Sequence, residues 1–104
     1  MWVMAFTLEI GPTAAKELKA IRAFDRKRII GEIETQLRHQ PTTPTRNRKC
    51  LEALVAAFEH VPPLWELRVG DYRVFYDVSS EAATVYIRAV RWKAAEQTAE
   101  EVVS

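Results

Sequence analysis

The sequence predicts a two-layer α+β domain: an N-terminal strand, a helical hairpin, then a three-stranded antiparallel meander. Two observations carry this. Apolar residues recur every three or four positions in the first third of the chain, and every second position after Pro63. With 104 residues the chain has room for one hydrophobic core and not two, so residues 1–104 are expected to form one domain.

The elements follow in order. Val3 to Ile10 alternates loosely, which suits a first strand. Gly11-Pro12 punctuates it, and Pro12 fits the first turn of a helix, where its missing N–H costs nothing. Ala14, Leu18 and Ile21 then mark a short amphipathic helix to about Ala23. Asp25 is a plausible N-cap for a second helix, with Ile29, Ile30, Ile33 and Leu37 as its apolar stripe. Gln40 to Lys49 holds two prolines and no apolar period, so a loop is expected there. Leu51 to Phe58 is expected to form a short helix, ended by His60-Val-Pro-Pro63. Beyond it Trp65, Leu67 and Val69 alternate with Glu66 and Arg68, and Gly70-Asp71 supplies turn chemistry. Tyr72 to Val78 returns as the second strand, and Thr84 to Val90, β-branched and aromatic, makes the third. The acidic tail 94–104 forms a terminal helix or frays. The helical hairpin should cover one sheet face and leave the other open. By the period of two, that open face holds Glu66, Arg68, Arg73, Phe75, Asp77, Tyr86 and Arg88.

Composition narrows the class. Apolar residues make up 48% and charged residues 28%, which excludes a disordered or fibrous chain. The apolar opening is broken by Glu9 and preceded by no basic residue, so it does not read as a signal peptide. No apolar run approaches a membrane span. Cys50 is the single cysteine; no disulfide framework, metal site or cofactor is expected, and the reducing cytoplasm is the expected location. The net charge of +1 divides unevenly: residues 1–93 hold fifteen basic against eleven acidic side chains, and the tail holds Glu96, Glu100 and Glu101. A modestly basic body is compatible with nucleic-acid contact and with an ordinary solvated surface.

Arg68 and Arg73 lie on consecutive strands joined by a tight turn, so they can be near neighbours across the hairpin. Two guanidinium forks side by side bind phosphate well; the alternative is that they pair with Glu66, Asp71 or Asp77. Arg46, Arg48 and Lys49 either grip a nucleic-acid backbone or belong to a solvated loop. Tyr86 and Arg88 add an aromatic and a cation to the same expected surface. Trp65 reads as core, and Trp92 as core or a stacking platform. His39 falls near the end of the second helix and suits its dipole, while His60 has no readable partner.

The run Trp65-Glu-Leu-Arg-Val-Gly-Asp-Tyr-Arg-Val-Phe-Tyr-Asp-Val78 resembles the hairpin of the RelE/ParE family of bacterial toxins. Weaker similarity extends over Phe24 to Ile30, Thr45 to Lys49 and Val85 to Val90. The resemblance implies the toxin of a type II toxin–antitoxin system, neutralised by a cognate antitoxin. In the RNA-cleaving branch it implies a metal-free, ribosome-dependent mRNA endoribonuclease in which Arg73 stabilises charge on the scissile phosphate. Lysines two apart on the preceding strand assist in that branch, and those positions here are Leu64 and Glu66. Glu66 would then serve as base, Arg68 and Arg73 as stabilisers, and Lys93 or Arg91 as a stand-in for the acid. No tyrosine follows Tyr86, so the branch's C-terminal tyrosine has no counterpart. The ParE branch implies instead a non-enzymatic inhibitor of DNA gyrase. A third reading is a degenerate module that keeps the fold and its antitoxin but no activity.

Overall fold

The computed structural model describes residues 5–104. Eight elements follow one another: β1 (Thr7–Ile10), α1 (Pro12–Ala20), α2 (Ala23–Leu37), β2 (Arg48–Leu51), β3 (Leu64–Val69), β4 (Tyr72–Ser79), β5 (Thr84–Trp92) and α3 (Ala99–Val103). The five strands form one sheet in the order β1-β5-β4-β3-β2. β1 runs parallel to β5, with Thr7 opposite Thr84, and every other pair is antiparallel. The expected strand, helical hairpin and meander are all present. Of the Val3–Ile10 expectation, Val3 and Met4 lie outside the described residues, and Ala5 and Phe6 precede the strand, which begins at Thr7.

Proline at its first turn starts α1, and the Ile21 N–H closes it on the Leu18 carbonyl. α2 begins two residues before Asp25, which therefore sits in the first turn rather than at the cap. There its carboxylate accepts from Arg22 Nε at 2.7 Å and lies near the positive end of the helix dipole. Ala14 and Leu18 from α1 and Ile29, Ile33 and Leu37 from α2 pack on Trp65, Leu67, Val69, Val74, Tyr76, Val85, Ile87 and Val90. This is the main core, and its strand members obey the period of two up to a bulge in β5. Phe75 pairs with Ala89 and Tyr76 with Ile87, so Arg88 is the extra residue, and the alternation shifts phase there.

Three expectations are corrected. Arg48 and Lys49 are not loop residues; they open β2, an edge strand paired to β3 through Arg48–Leu67 and Lys49–Glu66. Leu51 to Phe58 forms no helix. A turn at Glu52-Ala53 leads off β2, and beyond it Leu54, Ala56 and Phe58 are buried or half-buried while Val55 and Ala57 are exposed, so alternate side chains of this strap meet the sheet. Nor is the second sheet face open. Phe58, Val102 and Val103 close over Leu64, Phe75 and Ala89 in a second small core. The end of the chain folds onto this face as α3, whose Thr98 and Glu101 form a reciprocal capping box. The Ala57 N–H donates to the Val103 carbonyl at 3.0 Å and joins strap to helix.

Gly70 turns the β3–β4 hairpin at φ 57°, in the left-handed region that L side chains rarely enter. Gly70→Ala is expected to cost about 1 kcal/mol in urea unfolding from the backbone penalty. The contact its Cβ would make is with the Arg28 guanidinium, at 2.9 Å from Nη1, and that flexible end can move aside. Among the described residues no helix is long and apolar enough to cross a membrane.

Candidate nucleic-acid interface and its buried carboxylate

Two rows of side chains lie on the second sheet face at the hairpin end. Arg68, Arg73 and Arg91 occupy matching positions on β3, β4 and β5. Lys49, Glu66, Phe75 and Ala89 form the next row, from β2 to β5. The register thus places Glu66 diagonally from Arg73.

Arg73 is only 6% exposed, although it sits one residue beyond the turn. Its Nη1 donates to the carbonyls of Gly70 and Tyr72, both at 2.9 Å, so the guanidinium curls back over the hairpin and is held without an acid in direct contact. Burial lowers the Arg73 pKa, and the neighbouring Arg68 charge lowers it further. A cation kept under those two penalties is an electrostatic demand for an anion. Glu66 answers it in part. It is 5% exposed, with Oε1 at 3.6 Å from Lys49 Nζ and 4.0 Å from Arg73 Nε. Its Oε2 is buried and has no hydrogen-bond partner among the described residues. An orphaned carboxylate oxygen is expensive to keep, and it can accept from a hydroxyl or N–H brought by a ligand.

Beside this pair opens a small cleft of about 150 Å³ lined by Thr45, Arg46, Asn47, Arg48, Lys49, Glu66 and Arg68. The loop before β2 builds its far wall. Thr45 Oγ1 accepts from the Asn47 and Arg48 N–H groups at 3.2 Å, and the Asn47 carbonyl takes the Arg68 N–H at 2.8 Å, extending the sheet ladder past the strand. Deeper in, the fully buried Tyr76 hydroxyl donates to the Pro41 carbonyl at 2.6 Å and tethers the start of this loop to the core. Burial drives the Tyr76 pKa far up, so the hydroxyl keeps the proton that this bond needs. Thr45, Asn47 and Tyr76 carry no sequence signal for this role; their contribution depends on backbone geometry.

The candidate residues from the sequence divide. Glu66, Arg68, Lys49 and Arg46 line the cleft, and Arg73 lies beside it with its Nε 4.0 Å from Glu66 Oε1. Arg48 borders it through its backbone, but the side chain turns to the helix face, where its Nη1 donates to the Gln36 carbonyl. Arg91 shares the arginine row but is spoken for. Its Nε meets Glu17 Oε2 at 2.8 Å, and its Nη1 donates to the Val102 and Ser104 carbonyls. Lys93 follows β5, with its N–H on the Asp71 carbonyl at 2.8 Å beside the hairpin turn. Tyr86 and Arg88 lie elsewhere. Asp77 is four residues along β4 from Arg73, about 13 Å at the rise of a strand. There Arg88 holds it by two bonds of 2.7 and 3.2 Å, and the Tyr86 ring lies 4.9 Å from the Arg88 guanidinium. Phe75, covered by Phe58 and Val103, separates the two clusters. His60 rests on the Phe58 carbonyl at 2.9 Å, away from the cleft lining.

A model of the ParE toxin of the type II toxin–antitoxin system parDE matches residues 8–96. The chain belongs to the ParE toxin family. Solved structures of toxins from toxin–antitoxin systems share this toxin's fold. It is similar to a chain of the RelBE2 toxin–antitoxin complex from Mycobacterium tuberculosis, at 21% identity and a TM-score of 0.69, over 89% of this chain and 97% of that one. The archaeal RelE–RelB complex from Pyrococcus horikoshii OT3 holds a chain 21% identical with a TM-score of 0.66, over 88% and 99%. The isolated RelE toxin of E. coli is 17% identical with a TM-score of 0.63, over 93% and 94%. No curated protein matches the toxin's sequence.

Proposed function

We propose that this toxin is a metal-free, ribosome-dependent mRNA endoribonuclease acting in the cytoplasm. The observation that carries the reading is the buried Glu66, whose Oε2 has no hydrogen-bond partner among the described residues, beside the Arg68–Arg73 pair. Cleavage of RNA by its own 2′-hydroxyl needs a base at that hydroxyl and positive charge at the phosphate. Glu66 Oε2 takes the 2′-proton, the 2′-oxygen attacks the adjacent phosphorus, and the P–O5′ bond breaks to leave a 2′,3′-cyclic phosphate. Arg73 and Arg68 stabilise the negative charge that builds on the phosphorane oxygens. Arg46 and Lys49 hold the neighbouring backbone. The departing 5′-oxygen takes its proton from water, because ammonium and guanidinium groups such as those of Lys93 and Arg91 release protons reluctantly near neutral pH.

A second reading, inhibition of DNA gyrase without catalysis, is favoured by one feature: among the described residues, the cleft lining includes no histidine or tyrosine to act as acid. Mapping transcript ends in translating ribosomes after adding the toxin separates the two. New ends within coding sequence support cleavage. Intact mRNA together with blocked plasmid supercoiling by purified gyrase assigns the toxin to the second reading.

The cognate antitoxin would cover a different surface. β1 is a sheet edge, and Ile10 on it is 45% exposed between two grooves. Leu18, Lys19 and Arg26 line one, and Ile30, Ile33 and Glu34 line the other. An extended antitoxin segment would add to this edge and bury Ile10, in keeping with the RelB complexes of the similar structures.

A further inference from the structure

Two large aromatic rings stand in solvent at the hairpin end of the molecule. Phe24 is 75% exposed and Trp92 is 59% exposed. Single exposed apolar residues are ordinary, but two rings of this size at one end of the molecule make a contact surface. Trp92 pairs across the sheet with half-buried Tyr72 on the face the helices cover, yet it extends past the end of that cover. Phe24 opens α2 at the same end, since Arg28, one helical turn further on, lies over Gly70.

Cations are interleaved with these rings. The Arg22 guanidinium lies 6.0 Å from the centre of the Phe24 ring. Arg28 is exposed, and Lys93 follows Trp92 directly. Two acids are close by: Asp25, which is taken up by Arg22, and exposed Asp71 in the turn. A surface meant for another protein gathers its apolar groups into one dry patch with charges at the rim. Here each ring has a cation as its neighbour, the pattern that lets bases stack while the backbone is neutralised.

The position ties this surface to the cleft. Tyr72 directly precedes Arg73 on β4 and, with its partner Val69, is the last pair before the Gly70-Asp71 turn, on the opposite sheet face from the Arg68–Arg73 pair; Arg68 is exposed on the cleft side. We infer that Phe24 and Trp92 form a stacking platform for single-stranded RNA that leaves the cleft around the hairpin tip. This inference rests on the RNA-directed reading of the cleft, and it names a contact with bases that the cleft, lined by charged and polar groups, does not offer. Unpaired RNA is the ligand class, because paired bases have no free faces to stack.

The test uses Glu66→Gln toxin as a non-cleaving parent and a short fluorescein-labelled single-stranded RNA, with affinity read by anisotropy. Adding Phe24→Ala and Trp92→Ala together is expected to weaken binding at least ~10-fold, since base stacking on each ring contributes about that much. The slope of affinity against salt should stay as in the parent, whereas Arg28→Ala with Lys93→Ala should flatten it. A matching circular dichroism melt excludes misfolding, because both rings are exposed. Affinity within twofold of the parent overturns the platform, as does a parent that binds no RNA. Unchanged RNA affinity with loss of binding to a purified protein partner also overturns it, and makes the rings a protein interface. The cleavage reading is judged separately, on translating ribosomes with the wild-type toxin. Cutting there with ring-independent binding defeats the platform alone, and ring-dependent binding without cutting defeats the cleavage reading alone.

Discussion

Arg73→Ala is expected to abolish growth arrest and to slow cleavage of ribosome-bound mRNA by roughly 10²–10³-fold, the usual cost of removing one preorganised charge stabiliser. The guanidinium is held in place before substrate arrives by the Gly70 and Tyr72 carbonyls. Its stabilising charge is therefore positioned without reorganisation in the transition state. Arg73→Lys keeps the charge but loses the rigid fork that reaches both carbonyls, so it should recover only a small part of the rate. Glu66→Gln is the companion variant. It preserves the shape beside Lys49 and Arg73 but removes the base, and a fall of about 10²–10⁴ in single-turnover cleavage is expected. If Arg73→Ala and Glu66→Gln both cleave at the wild-type rate, the cleft is not the site.

The second large effect concerns stability. Arg88→Ala is expected to destabilise the toxin by about 3–5 kcal/mol, read as a lower urea midpoint. Asp77 is 2% exposed, and it depends on Arg88 for two bonds and on the Val61 N–H for a third at 2.9 Å. Removing the guanidinium strands a buried carboxylate, which costs far more than the net worth of the pair. The double variant Asp77→Asn with Arg88→Met should regain much of the loss, since no unpaired charge remains. A single variant that unfolds at the wild-type midpoint would show that water reaches Asp77 freely. This cluster was expected from the sequence to join a nucleic-acid surface; its bidentate geometry makes it a brace for β4 and β5.

The alternation of β3 to β5 and the Gly70-Asp71 turn were legible because each residue there has one job: face the helices, face away, or turn the chain. Arg68 facing Arg73 followed directly from that register. Legibility failed where a second layer intervened. Leu51 to Phe58 has a composition that suits a helix, but its partner is Val103, about 45 positions away, and contact at that distance leaves no local periodicity. For the same reason Phe75 was expected in the open, since nothing local announces that α3 returns to cover it. Arg91 illustrates a subtler limit. Its position in the arginine row was readable, whereas its capture by Glu17 depends on how α1 crosses β5. The orphan Oε2 of Glu66 was beyond reach altogether, because a missing partner is a property of the assembled site.

The parallel pairing of β1 with β5, Thr7 opposite Thr84, sets the order in which the toxin can be assembled. Contacts between neighbouring strands of the β3–β5 meander close short loops and form early, whereas the β1 pairing must wait for almost the whole chain. On a translating ribosome β1 therefore stays unpaired until β5 has emerged from the exit tunnel. The edge proposed to receive the antitoxin is thus among the last features of the fold to be completed.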